Sequence, residues 1–273
     1  MDSIVLLGHG SHLNPNSSAP VHAHAAWIAD RTTDVYVTAG FWKEEPSVAA
    51  VGRTVPPGDC YVVPVFVSEG YFTERVLPRE LGLGSAWPGS WAAVDGDVVC
   101  VDRPDGTGTW RYCRPVGTHE AMADVIVSRA ESVTGRTDVG PGTALAVIGH
   151  GTERNPRSAT VIRGHAETVR GRDRFAEVVT LFMDESPYVT DLPERVSADE
   201  VVVVPLFVAD GYHTTEDIPV DLGIAAEDGT WPVPATADGL CVWYAGAVGT
   251  EPLVAHVALT RAADAGAAVD APA

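Results

Sequence analysis

The chain has 273 residues, more than one typical domain and enough for two of about 130. Its hydrophobic content of 45 % supplies an ordinary globular core, with no apolar run of the ~18 residues that a membrane span needs. Asp and Glu number 37 against 18 Lys and Arg, a formal charge of −19, which repels phosphate and excludes nucleic acid as an expected partner.

The acids are spread along the chain rather than gathered in a tail, and Lys43 is its only lysine. Spread acidity with Arg in place of Lys resembles proteins that work in molar salt, where surface charge serves solubility and says nothing about fold. The N-terminus has no charged n-region followed by a long h-region, so the expectation is a soluble cytoplasmic protein with no membrane partner. Cys60, Cys100, Cys113 and Cys241 lie far apart without a CxxC pair, which removes the spacing of a structural metal site. Cys60 and Cys241 sit in or beside strand-like runs and are expected to be core packing.

In chain order, Ser3 to Leu7 is an apolar run short enough for a buried strand, and Pro20 to Asp30 a helix with proline in its first turn. Asp34 to Ala39 is expected as a strand, Pro46 to Arg53 as a short helix, and Cys60 to Val67 as a strand apolar on both faces. Thr73 to Leu81 is helical or irregular, Gly96 to Arg111 a tolerated insertion forming a surface hairpin or loop, and His119 to Val133 a longer helix. Thr134 to Thr143, rich in Gly and Thr, is the natural linker. Beyond it come a strand at Leu145 to Ile148, a helix at Ala159 to Arg170, and a strand at Phe175 to Phe182. A helix at Pro187 to Val196, strands at Glu200 to Val208 and Cys241 to Tyr244, and a helix at Glu251 to Ala263 complete the order.

That order occurs twice. A shift of 141 residues lays Gly8-His9-Gly10 on Gly149-His150-Gly151, Asn14-Pro15 on Asn155-Pro156, Phe66-Val67 on Phe207-Val208, and Gly70-Tyr71 on Gly211-Tyr212. After the insertion in the first copy, Val116-Gly117-Thr118 matches Val248-Gly249-Thr250. The chain is a tandem duplication, expected to form lobes at 1–135 and 143–273. Alternating strands and helices imply α/β architecture with parallel sheets covered on both faces.

In an open α/β sheet, ligands bind beyond the carboxyl ends of the strands. There the second copy delivers Gly149-His150-Gly151, then Met183-Asp184-Glu185-Ser186, then Ala209-Asp210-Gly211-Tyr212-His213. Two imidazoles and several carboxylates on one edge suit an open metal site or a proton-transfer site. The spacing is not that of a closed zinc site. No Arg precedes the GHG triplet, as a phosphohistidine mechanism would need, and neither GxGxxG nor a P-loop is present. A single GHG reads equally well as a turn with a solvent-facing His; two of them, one coupled to GYHTTEDIP, point further. The first copy has Phe72 where the second has His213, and Lys43 opposite Asp184.

Leu7 to Ser11 and Pro205 to Pro219 resemble the CbiX-type sirohydrochlorin chelatases, class II tetrapyrrole chelatases, in their long two-lobed form. The resemblance covers nearly the whole chain. It implies two chelatase-like α/β/α lobes with the active-site cleft between them. It also implies insertion of a divalent metal, Co²⁺ favoured over Fe²⁺ or Ni²⁺, into sirohydrochlorin or a related reduced tetrapyrrole, in cobalamin or siroheme biosynthesis. By the same resemblance His150 and His213 are the catalytic pair, Asp184 or Glu185 the accompanying acid, and His150, His213 and Glu216 the groups that meet the metal. His9, Ser11, Tyr71, Gly151, Tyr212 and Arg154 are expected along the substrate, with Arg75 and Arg157 as further partners for its carboxylates. No tightly bound cofactor is implied, and a monomer or homodimer suffices. The competing expectation is a non-catalytic tetrapyrrole or metal-ion carrier of the same fold.

Overall fold

The computed structural model describes residues 1–152 and 156–269. β1 (Asp2–Gly8) is buried along nearly its whole length, and α1 (Ala19–Ala29) leads away from it with Pro20 in its first turn. β2 (Val35–Phe41) follows, then α2 (Val48–Thr54), whose first turn is capped by the Ser47 hydroxyl accepting from Ala50 N–H. β3 (Cys60–Pro64) is wholly buried. A π-helical turn, Phe72–Val76, runs directly into α3 (Leu77–Glu80). β4 (Val98–Asp102) and β5 (Thr109–Cys113) form an antiparallel pair. The first sheet has the order β2-β1-β3-β5-β4, parallel except at β4.

α4 (Met122–Thr134) ends on Gly135 at φ 66°, the left-handed cap that glycine adopts without steric cost. β6 (Thr143–Gly149), α5 (Pro156–Arg170), β7 (Val178–Phe182), α6 (Leu192–Arg195) and β8 (Glu200–Pro205) repeat the earlier order. A second π-helical turn, His213–Asp217, runs into α7 (Ile218–Asp221). β9 (Ala235–Ala237), β10 (Leu240–Tyr244) and α8 (Leu253–Asp264) follow, giving a second sheet of order β7-β6-β8-β10-β9. Both architectures are α/β with mostly parallel sheets, as the alternation implies.

Two expectations are sharpened by the structure. Gly96 to Arg111 does form a hairpin, β4 antiparallel to β5, but it is part of the sheet, because β5 also pairs in parallel with β3. Its Trp110 and Tyr112 are buried; the turn between β4 and β5 carries the Gly and Asp that disguised the strands. The compact units also differ from the repeats 1–135 and 143–273. One unit comprises Met1–His119 with Pro252–Ala273, the other Glu120–Glu251. Each repeat's last helix thus belongs to the other repeat's unit: α8 packs on α1 and β3, and α4 on α5, β8 and β10.

In the first unit, Val5, Leu7, Val62, Leu77, Trp91 and Tyr112 build the core on one face of the sheet. In the second, Ala146, Ile148, Val201, Val203, Ile218 and Tyr244 do the same. Cys60 and Cys113 are packing residues whose burial pushes their thiols up to about 12, so neither is a thiolate near neutral pH. Cys241 is half-buried in β10.

The 134–143 segment is tied down at Glu200, the first residue of β8. Arg136 donates two hydrogen bonds to it at 2.9 and 3.0 Å, the Thr143 hydroxyl one at 2.6 Å, and Trp243 Nε1 one at 2.7 Å. These donors, Arg136 foremost, hold the Glu200 carboxyl down to about 2 from 4.5. A carboxylate whose pKa is depressed on folding stabilises above its unfolded value and loses that contribution as the pH falls through the folded one. Glu200→Gln is therefore expected to cost about 1–2 kcal/mol in denaturant unfolding at pH 7. The gap from the parent chain should close between pH 4.5 and about 2.

Candidate active site at the carboxyl edge of the second sheet

From β6 the chain crosses to β7 on one side and later returns to β8 on the other, so the crossovers diverge at the β6–β8 boundary. Such a switch point leaves a crevice outside the carboxyl ends of the two strands. The loop after β6 begins at His150, and the loop after β8 leads to His213.

The two glycines around His150 have separate reasons. A Cβ on Gly149 would stand 1.8 Å from the tip of the Ile162 side chain in α5, which would have to turn away to admit it. Gly151 has φ +64°, and a Cβ there would also meet Glu185 Cγ at 2.7 Å and Phe182 Cβ at 2.8 Å. Gly249 is constrained more severely: its Cβ would lie 2.0 Å from the carbonyl oxygen of Val208, at the start of the loop that carries His213. Asp210 in that loop accepts from Ala247 N–H at 2.9 Å and from the Thr214 hydroxyl at 3.3 Å. The buried Tyr244 hydroxyl donates to the Thr214 carbonyl at 2.7 Å, pinning the π-helical turn to β10.

The rings of His150 and His213 meet edge to face with centroids 5.2 Å apart, and both side chains are about half exposed. His150 Nδ1 lies 2.9 Å from the Gly151 carbonyl oxygen, which can only accept, so Nδ1 carries the proton there. Asp184 Oδ2 stands 3.4 Å from the same nitrogen. His213 Nδ1 donates to Asp217 Oδ2 at 2.7 Å, four residues on in the same turn. In the neutral form of each ring these contacts place the proton on Nδ1 and leave Nε2 as the atom that can accept a proton or ligate a metal.

Around this pair, Tyr212 is exposed, and the charges of Glu216 and Asp217, with a hydrogen bond to Glu216, hold its phenol above the ordinary range and therefore neutral. Glu185 faces Arg163 at 2.9 Å. Its counterpart in the first copy, Glu44, accepts from Ser11 N–H at 2.5 Å and from the Ser18 hydroxyl at 2.6 Å, bracing the first GHG loop. The Ser11 hydroxyl accepts from Leu13 and Asn14 N–H and closes a local turn. Arg154 lies outside the described residues. Among those described, no three His, Cys, Asp or Glu side chains are placed to hold a metal ion, so His150, His213 and Glu216 are not a ready ligand set. Glu216 is engaged with Tyr212 instead. A cavity of about 890 Å³ opens beside the turn, between Glu216, Val220 and Trp231, but neither histidine lines it.

Asp217 was not singled out from the sequence as a site residue, although its i,i+4 spacing from His213 in a helical turn is the signal that would have found it. His9 lies at the corresponding edge of the first sheet, against Phe72, whose other neighbour is the exposed Tyr71.

The CbiX family model matches residues 3–133 and again 144–265. The chain belongs to the CbiX family. It is 52 % identical over 272 residues to a probable sirohydrochlorin cobaltochelatase of Halobacterium salinarum, covering 98 % of this chain and 93 % of that one. A sirohydrochlorin cobaltochelatase of Methanopyrus kandleri is 32 % identical over 152 residues, which are 99 % of its length but 50 % of this chain. The family thus includes members about one repeat long. A multi-domain protein of Deinococcus radiodurans with structural similarity to chelatases superposes with a TM-score of 0.80 at 33 % identity, over 97 % of this chain and 55 % of its own. No helix among the described residues is long and apolar enough to cross a membrane.

A carboxylate that orients a metal-meeting histidine typically matters 10- to 100-fold. Asp217→Asn is accordingly expected to reduce metal insertion about 10- to 100-fold while leaving thermal unfolding nearly unmoved, as an initial-rate assay beside a melting curve would record.

Proposed function

We propose that this chain inserts a divalent metal ion, cobalt by preference, into sirohydrochlorin or a closely related reduced tetrapyrrole. The observation that carries this assignment is the imidazole pair, 5.2 Å between ring centroids, with each Nδ1 engaged and each Nε2 left basic. The cobaltochelatase names of the Halobacterium and Methanopyrus relatives support the reaction class and the metal. Imidazole itself suits Co²⁺, Fe²⁺ and Ni²⁺ alike.

Metal insertion requires the ion to shed water and two pyrrole N–H protons to leave as two metal–nitrogen bonds form. Two imidazoles are enough to hold an incoming ion and too few to trap it, which suits a metal that must be passed on. As the ion moves to the macrocycle, the His150 and His213 Nε2 atoms become free to accept the two protons. Asp217 stabilises the imidazolium on His213, and Asp184 does so on His150. The Tyr212 hydroxyl is held by Glu216, and Glu185 is paired with Arg163 of α5. Asp184 and Glu216 draw the hydrated cation to the edge. A single chain supplies both imidazoles, so no second copy is needed. The place of action we assign is the cytoplasm, with the acidic surface keeping the chain dispersed at high salt.

A carrier of the same fold would bind metal and macrocycle without accelerating their union. Mixing the chain with sirohydrochlorin and Co²⁺ and following the absorbance change separates the two. The enzyme is expected to exceed spontaneous insertion, and His150→Ala and His213→Ala are each expected to lose about 10²- to 10⁴-fold of that excess. A parent chain no faster than buffer would favour the carrier, and alanine variants as fast as the parent would refute the assigned roles.

A further inference from the structure

The carboxyl edge of the first unit carries a cluster of rings and charges to which insertion chemistry gives no part. The shift of 141 residues places Trp42 at the position of Met183, Lys43 at Asp184, Phe72 at His213, Arg75 at Glu216 and Val76 at Asp217. Four groups that offer the second edge a base or a negative charge are thus replaced together by an aromatic ring, two cations and an alkyl group.

The replacements also form an ordered arrangement. The His9 ring stands edge to face with Trp42 at 5.2 Å and with Phe72 at 4.6 Å, and those two rings meet each other at 5.1 Å. Phe66 stacks against Phe72 at 6.0 Å, and Tyr71 closes the set at 5.6 Å with most of its own surface exposed. The Lys43 ammonium lies 4.9 Å from the centre of the Trp42 ring. His9 donates from Nδ1 to the Gly10 carbonyl at 2.6 Å and has neither of the carboxylates that serve His150 and His213. Arg75 is exposed, and no ion pair among the described residues uses it or Lys43. In a chain of charge −19, the single lysine is found beside a part-exposed aromatic platform. Flat rings attract flat rings, and flanking cations attract carboxylates.

We propose that this edge is a metal-independent binding site for a planar, carboxylate-rich macrocycle. Trp42, Tyr71 and Phe72 meet the ring face, Lys43 and Arg75 pair with carboxylates on its rim, and His9 serves as one ring of the platform rather than as a metal ligand. The identity of the macrocycle as the substrate rests on the function proposed above; the binding itself does not.

The test is a fluorescence titration of the full chain with metal-free uroporphyrin, which carries eight carboxylates, in the absence of cobalt. The parent chain is expected to bind saturably. Lys43→Glu combined with Arg75→Glu should raise Kd about tenfold or more, while Lys43→Arg combined with Arg75→Lys stays close to the parent. Trp42→Ala should weaken binding comparably and Trp42→Phe much less, with circular dichroism confirming that each variant is folded. No binding by the parent, or equal binding by the double Glu variant, would overturn the proposal. If the chain proves unable to insert cobalt yet binds uroporphyrin through Lys43 and Arg75, the chelatase assignment falls and this site stands. Cobalt insertion with porphyrin binding indifferent to those two cations removes this site alone.

Discussion

The pairing of His150 with His213 depends on where a parallel sheet reverses its winding. β6 is flanked by β7 and β8, reached by crossovers that diverge, so the carboxyl ends of β6 and β8 open side by side. Two loops starting from neighbouring strand ends can bring two imidazoles within a few ångströms without any long excursion of the chain. The backbone then leaves little freedom in how they do so: Gly149 leaves room for the Ile162 side chain of α5, Gly151 takes the left-handed turn, and Gly249 lets the next loop pass against Val208. The ring orientations follow from two acceptors, the Gly151 carbonyl and the Asp217 carboxylate. A pair of side chains half open to water is thus held by a frame that is almost entirely buried.

Duplication gave the chain that frame twice, and divergence used it differently. The hydrogen bond from Tyr112 to the Thr73 carbonyl matches that from Tyr244 to the Thr214 carbonyl, both 2.7 Å, so the π-helical turns are supported in the same way. Gly117 meets Val67 as Gly249 meets Val208. What differs is the set of side chains displayed on these supports. Coulomb attraction at the second edge favours a hydrated cation, through Asp184, Glu216 and Asp217. At the first edge the corresponding positions carry Lys43, Arg75 and Val76, which favour an anion.

The strands of this fold were legible because parallel strands buried on both faces read as short apolar runs, as in Ala144 to Ile148 and Val201 to Val204. The histidine pair was legible from the repeat, since only one copy retains an imidazole at the position of His213. β4 and β5 were obscured by the Asp-Gly-Thr-Gly turn between them, whose composition reads as a loop. The helix exchange could not be read from local pattern. α4 and α8 present similar apolar faces, Val125 and Ile126 in one and Val254 and Val257 in the other, and such a face specifies burial without specifying which sheet covers it. The spacing of Asp217 from His213 is visible in the sequence, but the π-helical turn that joins them is not announced by any simple periodicity.

On the proposed function, the two GHG histidines, alike in sequence and in backbone support, differ in chemistry. Steady-state cobalt insertion by His9→Ala and His150→Ala, measured side by side against spontaneous insertion, tests that difference most directly. His150→Ala is expected to lose kcat by about 10²-fold or more. His9→Ala is expected to keep kcat within severalfold of the parent while its KM for the tetrapyrrole rises. Equal collapse of kcat in both variants, or a larger collapse in His9→Ala, would contradict the account.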